Sequence, residues 1–288
     1  MYTLLLTACI NPDGMPFTKV SDQTMRLQQY LEALRFYLDT TPYPIIFTEN
    51  SGTDISVHFA EAINSGRLEV LTFAGNEDKS KGKGYGEACI IEYALNHSRK
   101  LTYDSTVVKI TGRLIVENLT AVLTHRFPLQ GRQSVVCSFN SDFTFPDSRL
   151  MVSTIPFLRH FLADKEQMSD FKDIFFEHVL ARHILQGRTS YAPFWTEPFI
   201  IGISGSSGQS YQKPEASRSR TIAYRLMALH RYRLFEQKTA RHHLFKDAVY
   251  AILHLWYTLM QRAAILPIIF GQIYKNILRI SHISEKKH

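Results

Sequence analysis

A segment rich in glycine and lysine, residues 81–87, is the part of the sequence best suited to hold a phosphate group. Glycines let a phosphate approach the backbone closely, the lysines supply positive charge, and a predicted helix follows whose N-terminus favours anions. The spacing matches neither of the common phosphate-binding motifs, so a flexible solvated loop is the alternative. Because the segment comes after a predicted strand, we favour phosphate binding through Lys83 and Gly84.

Two further cations, Lys109 and Arg113, lie within and just after the apolar run 106–110. A lysine inside such a run is buried, and burying its charge is costly unless an anion compensates it. The anion is either the diphosphate of a ligand or a carboxylate of the protein in an internal ion pair. Both interpretations place positive charge near the end of this predicted strand.

Acidic side chains suited to metal binding or proton transfer occur in the second half of the chain. Asp142 and Asp147 lie in a polar loop beside Arg149. An aspartate there is suited to hold a divalent metal on a nucleotide diphosphate or to bind sugar hydroxyls, and a turn-forming role is the alternative. Glu177 and His178 begin an apolar helix, where either side chain suits the acceptance of a proton from a sugar hydroxyl. Ordinary helix-surface residues would look the same.

The elements that must position these residues alternate between strands and helices. Four apolar runs, too continuous for strands with one wet face, are each followed by a helical pattern. This predicts a mostly parallel sheet covered by helices on both sides. Ligands bind beyond the carboxyl ends of such strands. We therefore expect the loops at residues 7–10, 49–52, 74–86 and 111–113 to share one rim.

The predicted elements become less regular after the fourth strand. Residues 134–139 and 150–155 are predicted strands, and residues 115–123 and 173–185 are predicted helices. The earlier helices are expected at residues 21–38, 55–63 and 87–98, with Ser21 or Asp22 as the cap of the first.

Composition limits the class of protein. A chain of 288 residues, 45% hydrophobic and 20% charged, is long enough for a packed core and excludes collagen-like, low-complexity and wholly disordered proteins. The three cysteines, Cys9, Cys89 and Cys137, are odd in number and lack metal-ligand spacing. This argues against a disulfide scaffold or zinc site and favours a reducing compartment. The first apolar run lacks the flanks of a secretion signal, and no run is long enough to predict a spanning helix.

Positive charge is concentrated towards the C-terminus. Residues 1–212 hold 19 Lys and Arg against 22 Asp and Glu, a net charge of −3, whereas residues 213–288 hold 14 against 4, a net charge of +10. We therefore divide the chain into an α/β domain, 1–212, and a basic extension of amphipathic helices, 213–288, which carries Trp256 and Tyr257. Such an extension suits an anionic surface, either nucleic acid or the inner leaflet of a membrane. Helices that pack on the sheet are the alternative.

Taken together, these segments resemble the GT-A glycosyltransferases that build bacterial lipopolysaccharide, capsule or O-antigen. The resemblance covers roughly residues 1–211 and extends to residues 176–182, which look like the Glu-Asp-x-x-Leu-x-x-Arg helix start of many inverting members. The other segments that carry it are residues 7–10, 47–52, 83–88, 109–113 and 147–149.

The resemblance implies a GT-A-like, Rossmann-like domain that moves a hexose from a nucleotide-diphosphate sugar, with UDP-galactose as one candidate, to a hydroxyl of a growing, lipid-linked surface polysaccharide. It implies Glu177 as catalytic base with His178 beside it, and Asp147 as the ligand of the donor or of Mn²⁺ or Mg²⁺. Residues 111–113 replace the Asp-x-Asp metal motif, so without a metal Lys109 and Arg113 would neutralise the leaving diphosphate. The implied nucleotide-sugar-binding residues are Thr7, Ala8, Glu49, Asn50, Lys83, Gly84, Lys109, Gly112, Arg113 and Arg149.

The lipid-linked acceptor implies a cytoplasmic protein held at the inner face of the cytoplasmic membrane by its basic extension. Two other functions stay open from the sequence: binding of nucleic acid through the arginines of the extension, and a noncatalytic scaffold of the same fold. The extension lacks a recognisable nucleic-acid-reading motif, and the body carries a ligand rim that a simple DNA-binding protein would not need. No nucleic-acid partner is therefore expected.

Overall fold

The main sheet is built from the most apolar stretches of the chain. The computed structural model describes residues 2–76, 79–124, 133–187, 189–215 and 217–239. The strands of this sheet are β1 (Tyr2–Ala8), β2 (Ile45–Glu49), β3 (Leu68–Thr72), β4 (Thr106–Thr111), β6 (Ser134–Val136), β7 (Leu150–Thr154) and β8 (Ser190–Ala192). They lie in the order β3-β2-β1-β4-β7-β6-β8.

Six of the seven strands run in the same direction. β1 pairs in parallel with β2 and β4, β2 with β3, and β6 with β8, whereas β7 is antiparallel to both β4 and β6. The prediction of a mostly parallel sheet is confirmed. Because β7 is reversed, its start lies at the same edge as the carboxyl ends of the other strands.

Helices cover both faces of the sheet, as the apolar strands predict. Leu4 and Leu6 point into one core and Leu5 into the other, and all three are fully buried. The first core is closed by α1 (Gln23–Thr40) and α4 (Leu119–Thr124), and the second by α3 (Lys83–His97), α5 (Ile155–Leu162) and α6 (Phe176–Gln186). A short helix, α2 (Ala60–Asn64), leads into β3. Asp22, one of the two predicted cap residues, caps α1 by accepting a hydrogen bond from the backbone N–H of Met25.

Several elements differ from the sequence prediction, and the helix predicted at residues 55–63 is an α-helix only over Ala60–Asn64. Helix α3 begins at Lys83 instead of residue 87, because a distant carboxylate satisfies its first backbone N–H. The predicted helix 115–123 is interrupted: β5 (Ile115–Val116) joins a small antiparallel sheet with β9 (Ile200–Ile203) and β10 (Ser210–Tyr211), and only α4 is helical. Helix α5 was not predicted, because its apolar residues continue the run that forms β7.

The first compact unit of the chain is Met1–Phe235, which extends beyond the boundary that the charge distribution suggests. Helix α7 (Arg218–Lys238) supplies Phe235, which is 2% exposed and packs against Tyr191 at 4.5 Å between ring centroids. Residues 240–288, with Trp256 and Tyr257, lie outside the described residues. In the described part of the chain, every helix is too short or too polar to cross a membrane.

Candidate functional site

The carboxyl ends of the parallel strands meet at two connected cavities. The main cavity has a volume of about 1040 Å³ and the inner cavity, which is next to the end of β1, a volume of about 140 Å³. Both lie at the edge where ligands bind in parallel α/β sheets. The residues that line both cavities are Lys83, Glu87, Thr111, Arg113, Gly205 and Ser206.

Three cations surround the inner cavity. Arg26, Lys83 and Arg113 all line it, and none of them forms an ion pair with a carboxylate of the described residues. The charge of Arg26 lowers the pKa of both Lys83 and Arg113, although burial is the larger cause in each case. Three partly buried cations that repel one another are unfavourable unless an anion joins them. The arrangement is therefore suited to a polyanionic group such as a diphosphate.

The Lys83 ammonium is held at the boundary between the two cavities. Its Nζ donates to the backbone oxygen of Phe17 at 2.7 Å and to Oγ of Ser206 at 2.6 Å, so two loops fix its position. Burial lowers its pKa, while the charges of Asp170 and Glu177 act in the opposite direction. The sequence prediction placed Lys83 in a loop, but the structure places it at the first position of α3.

Two helix N-termini converge beside Lys83. A Cβ added to Gly84 would lie 2.9 Å from the backbone nitrogen of Phe176, so only glycine lets the start of α3 approach the start of α6 this closely. Asp170, which is 4% exposed, accepts a 2.7 Å hydrogen bond from the Lys83 backbone nitrogen. The positive ends of two helices add to the positive potential of the three cations.

Arg113 lies in the wall between the two cavities and lines both of them. Its guanidinium donates to the backbone oxygen of Ile203, and a Cβ added to Gly205 would collide with it. Burial is the main cause of its lowered pKa, which the charge of Glu87 partly offsets. The turn between β9 and β10 thus holds this side chain over the strand ends.

Asn50 supplies an unsatisfied acceptor in the inner cavity. Its side-chain oxygen is buried and has no hydrogen-bond partner among the described residues, and the residue is 2% exposed. Thr7 and Ala8, at the end of β1, line the same cavity. A buried acceptor without a donor is costly, and a ligand hydroxyl or amine would satisfy it. Thr7, Ala8, Asn50, Lys83 and Arg113 are thus brought together as the sequence predicts.

Glu177 faces the main cavity from the first turn of α6. Its Oε1 accepts a hydrogen bond from Oγ of Ser148 at 2.5 Å. Burial raises the pKa of Glu177, and the nearby charge of Glu87 raises it further, whereas the bond from Ser148 and the charge of Lys109 lower it. A carboxylate with a raised pKa is a stronger base than an exposed one, which is the property that a general base requires.

Lys109 lies beneath the cavities in a buried chain of polar contacts. It is fully buried, forms an ion pair with Glu87 and donates to the backbone oxygen of Ser148 at 2.6 Å. Thr7 donates to the same Glu87 carboxylate at 3.2 Å. Of the two partners considered for Lys109, the structure therefore contains the internal carboxylate. Lys109 lines neither cavity, so its predicted contact with a diphosphate is not supported.

Glu49 and Gly112, like Lys109, make contacts within the protein that stabilise the loops around the site. Glu49 is fully buried, and its carboxylate accepts backbone N–H bonds from Ile10, Ser51 and Thr53, each at 2.9 Å. It therefore joins the loops after β1 and β2 and does not line the inner cavity, where the resemblance placed it. Gly112 permits a close approach, because a Cβ there would lie 2.8 Å from the Thr7 backbone oxygen.

Asp147 and Arg149 form an ion pair in the wall of the main cavity. Nε and Nη2 of Arg149 donate to the two carboxylate oxygens of Asp147 at 2.8 and 2.6 Å, and these bonds raise the pKa of Arg149. Arg149 also stacks on the ring of Tyr211, 4.5 Å from its centroid. Among the described residues no three His, Cys, Asp or Glu side chains are placed to hold a metal ion. Both carboxylate oxygens of Asp147 accept hydrogen bonds from Arg149, and the binding of Mn²⁺ or Mg²⁺ at Asp147 stays a prediction.

His178 stabilises the start of α6 and does not line the main cavity. Its Nδ1 lies 2.9 Å from the backbone oxygen of Asp173 and 3.3 Å from the backbone nitrogen of Phe175. Its ring also packs against Phe145, with centroids 5.4 Å apart. Of the two side chains predicted to accept a proton, only Glu177 lies in the cavity.

Sequence reasoning missed Arg26, which the structure places in the inner cavity. Its guanidinium donates to the backbone oxygens of Cys9 at 2.8 Å and Val20 at 3.0 Å. On α1 the apolar Met25 is 50% exposed, whereas the buried face carries Arg26 and Tyr30. The spacing of Arg26, Tyr30 and Tyr37 along one helix face is the signal that identifies it.

Comparisons with known proteins do not assign a function to this chain. No protein-family model matches the chain, and no curated protein matches it significantly. Among solved structures, it is similar to the galactosyltransferase LgtC in complex with donor and acceptor sugar analogues, with a TM-score of 0.43 and 10% identity, over 68% of this chain and 74% of that one.

Two further solved structures are also similar to parts of this chain. A cytidylyltransferase from Leptospira borgpetersenii serovar Hardjo-bovis gives a TM-score of 0.39 at 13% identity, over 67% of this chain and 75% of that one. HddC from Yersinia pseudotuberculosis gives a TM-score of 0.34 at 14% identity, over 70% of this chain and 93% of that one. These values are too low to transfer an activity to this chain.

Proposed function

We propose that this protein is a glycosyltransferase that uses a nucleotide-diphosphate sugar. The observation that carries the proposal is the set of three cations, Arg26, Lys83 and Arg113, around the inner cavity, with the Glu177 carboxylate facing the adjoining main cavity. A diphosphate between the cations would relieve their mutual repulsion, while Asn50 would accept a hydrogen bond from the ribose or base. The sugar would then lie between the diphosphate and Glu177.

The reaction that fits this arrangement is a displacement at the anomeric carbon. A hydroxyl oxygen of the acceptor attacks that carbon, the bond from the carbon to the diphosphate oxygen breaks, and the nucleoside diphosphate leaves with the electron pair. Glu177 accepts the hydroxyl proton, and its raised pKa makes it a better base than an ordinary carboxylate. Arg113 and Lys83 stabilise the negative charge that develops on the leaving oxygen.

The volume and opening of the main cavity leave room for a saccharide acceptor. At about 1040 Å³ it is larger than a donor sugar requires, and Asp147, Arg149 and Tyr211 line its wall away from the inner cavity. We propose that this wall binds the acceptor, and that the acceptor is a growing, lipid-linked surface polysaccharide at the inner face of the membrane. The donor is proposed to be a hexose nucleotide of the UDP-galactose type.

A thermal-shift panel of UDP-, GDP-, CMP- and dTDP-sugars, followed by product analysis with oligosaccharide acceptors, tests the function. We expect one nucleotide class to raise the melting temperature and its sugar to be transferred or slowly hydrolysed. Manganese and EDTA arms report on metal dependence. Binding without transfer or hydrolysis of any sugar would identify a noncatalytic scaffold, and nucleotide formation from a sugar phosphate and a nucleoside triphosphate would replace glycosyl transfer with nucleotidyl transfer.

A further inference from the structure

A third cavity, the side cavity, opens from the wall of the main cavity. It has a volume of about 340 Å³ and shares Ser138, Asp147, Arg149 and Tyr211 with the main cavity. It lies beyond the ion pair of Asp147 and Arg149, on the side away from the inner cavity and its cations. A saccharide whose reacting hydroxyl reaches Glu177 would therefore extend its next sugar units into the side cavity.

The charges of the side cavity leave one guanidinium without a carboxylate. Arg149 holds both oxygens of Asp147, and Arg220 holds both oxygens of Glu197 at 2.8 Å each. Arg231, on α7, also lines the cavity, and no carboxylate of the described residues pairs with it. Three guanidinium groups against two carboxylates give the cavity a net positive charge. Bidentate pairing leaves Arg231 as the group able to take a further anion.

The side cavity also has the aromatic surfaces that sugar rings contact. Tyr211 carries the stacked guanidinium of Arg149 on its ring, and Tyr224 hydrogen-bonds to Ser138. Burial is the main cause that raises the pKa of Tyr224 to about 12, so its hydroxyl stays neutral and able to donate at physiological pH. The tyrosine rings offer apolar faces with a neutral hydroxyl at the edge, and the Arg231 guanidinium lies beside them. This combination suits an acidic sugar better than a peptide helix or a lipid tail.

We propose that the side cavity binds an anionic unit of the acceptor, a sugar that carries a carboxylate or a phosphate, through Arg231. This inference rests on the proposed function, because it makes the side cavity the acceptor end of the same site. The anionic group pairs with the Arg231 guanidinium, and the ring of that sugar lies between Tyr211 and Tyr224. The acceptor is accordingly an acidic polysaccharide or a phosphorylated glycan, and neutral glycans bind more weakly.

Titration calorimetry on the full chain with three defined probes tests this assignment. A hyaluronan tetrasaccharide presents carboxylates, mannose 6-phosphate presents a phosphate, and chitotetraose is a neutral control of similar length to the first. We expect at least one anionic probe to bind more tightly than chitotetraose, and R231Q to weaken that binding by about 10- to 100-fold. Arg225 is exposed on the same helix and does not line the cavity, so R225Q is the matched control and should bind as the wild type does.

Two comparisons separate the side cavity from the nucleotide site. R231K keeps the positive charge and should retain the preference for the anionic probe, and a nucleotide sugar should give the same thermal shift in R231Q as in the wild type. Equal binding of the neutral probe, no anionic binding, or equal losses in R231Q and R225Q would overturn the proposal. Anionic binding that depends on Arg231 without any nucleotide response would contradict the proposed function and leave the saccharide site standing.

Discussion

Lys83 and Lys81 are separated by one residue but have different electrostatic surroundings. Lys83 lies between two cavities with no carboxylate ion pair among the described residues, whereas Lys81 forms an ion pair with Glu166 and lines neither the main nor the inner cavity. We expect K83M to weaken binding of the preferred nucleoside diphosphate by about tenfold or more, since a charge-assisted contact to phosphate is lost. K81M should bind it as the wild type does. Calorimetry at low and high salt measures both, and equal losses would contradict the diphosphate assignment.

Glu177 is expected to limit the chemical step and not the binding of the donor. In E177Q, the nucleotide should still produce its thermal shift, because the cations that hold the diphosphate are unchanged. The rate of transfer should fall by about 10²- to 10⁴-fold, the usual contribution of a general base. Initial rates at saturating donor and acceptor measure this loss. H178Q is the matched control, since His178 lies outside the main cavity, and a loss in H178Q as large as that in E177Q would assign the proton transfer elsewhere.

The pH dependence of the reaction follows from the surroundings of Glu177. Burial raises its pKa above the ordinary carboxylate value, so the basic, deprotonated form is lost at a higher pH than for an exposed glutamate. The rate at saturation should therefore fall as the pH decreases through this raised pKa, with an acidic limb above the ordinary range for glutamate. A rate that does not change from neutral pH down to that range would show that Glu177 is not the base.

The raised pKa of Glu177 also has a consequence for stability. Because burial disfavours the ionised carboxylate in the folded protein, replacing it with a neutral side chain removes this cost at neutral pH. E177Q should therefore unfold at a slightly higher temperature than the wild type at neutral pH.

At the scale of elements, the buried pair of Lys109 and Glu87 joins β4 to α3. Lys109 is fully buried, whereas the Glu87 side chain is 22% exposed, so the two halves of the pair differ in their access to water. E87Q leaves a buried ammonium without a counterion and should reduce the free energy of unfolding by about 3–5 kcal/mol. K109M leaves a carboxylate that water reaches, and it should reduce stability less. Urea denaturation monitored by circular dichroism measures both changes.

The double variant distinguishes ionic coupling from a general sensitivity of this region. With K109M and E87Q together, both charges of this pair are removed, and the loss of stability should be smaller than the sum of the two single losses. Additive losses would show that the two side chains do not interact in the folded protein. Thr7 also donates a hydrogen bond to Glu87. T7V removes this hydrogen bond and leaves the ion pair between Lys109 and Glu87 intact.

The sheet was predictable because its strands are marked by residues that leave no wet face. Leu4, Leu5 and Leu6 are all buried, and such a run has few folded arrangements other than a strand between two helix layers. The site was less predictable, because it depends on contacts between residues far apart in sequence. Asp170 extends α3 back to Lys83, and Lys109 finds its anion on α3 instead of in a ligand. A sequence pattern shows that a buried lysine needs an anion but does not show which one is present.

At the scale of the whole molecule, positive charge is concentrated in the C-terminal part of the chain, and contacts with the α/β domain involve some of these cations. Residues 213–288 carry 14 basic against 4 acidic residues. Two of these cations are paired with the body of the protein, Lys213 with Glu117 and Arg220 with Glu197. Phe235 is buried in the core, so the beginning of the extension also has a packing role. The packing alternative thus holds for α7, which buries Ala228 and Phe235, and we propose a surface role for the basic residues that follow it.

The remaining basic residues predict reversible binding of the full chain to anionic membranes. Each Lys or Arg near such a surface contributes about 1 kcal/mol, so a few are enough for measurable association. In sedimentation assays we expect binding to vesicles that contain phosphatidylglycerol and little to pure phosphatidylcholine. Binding should decrease as salt rises from 0.1 M to 1 M, because the screening length falls from about 10 Å to about 3 Å. A duplex DNA of equal charge concentration is the competitor. If the DNA retains the chain and the vesicles do not, the basic extension serves nucleic acid and the proposed membrane-bound acceptor loses its support.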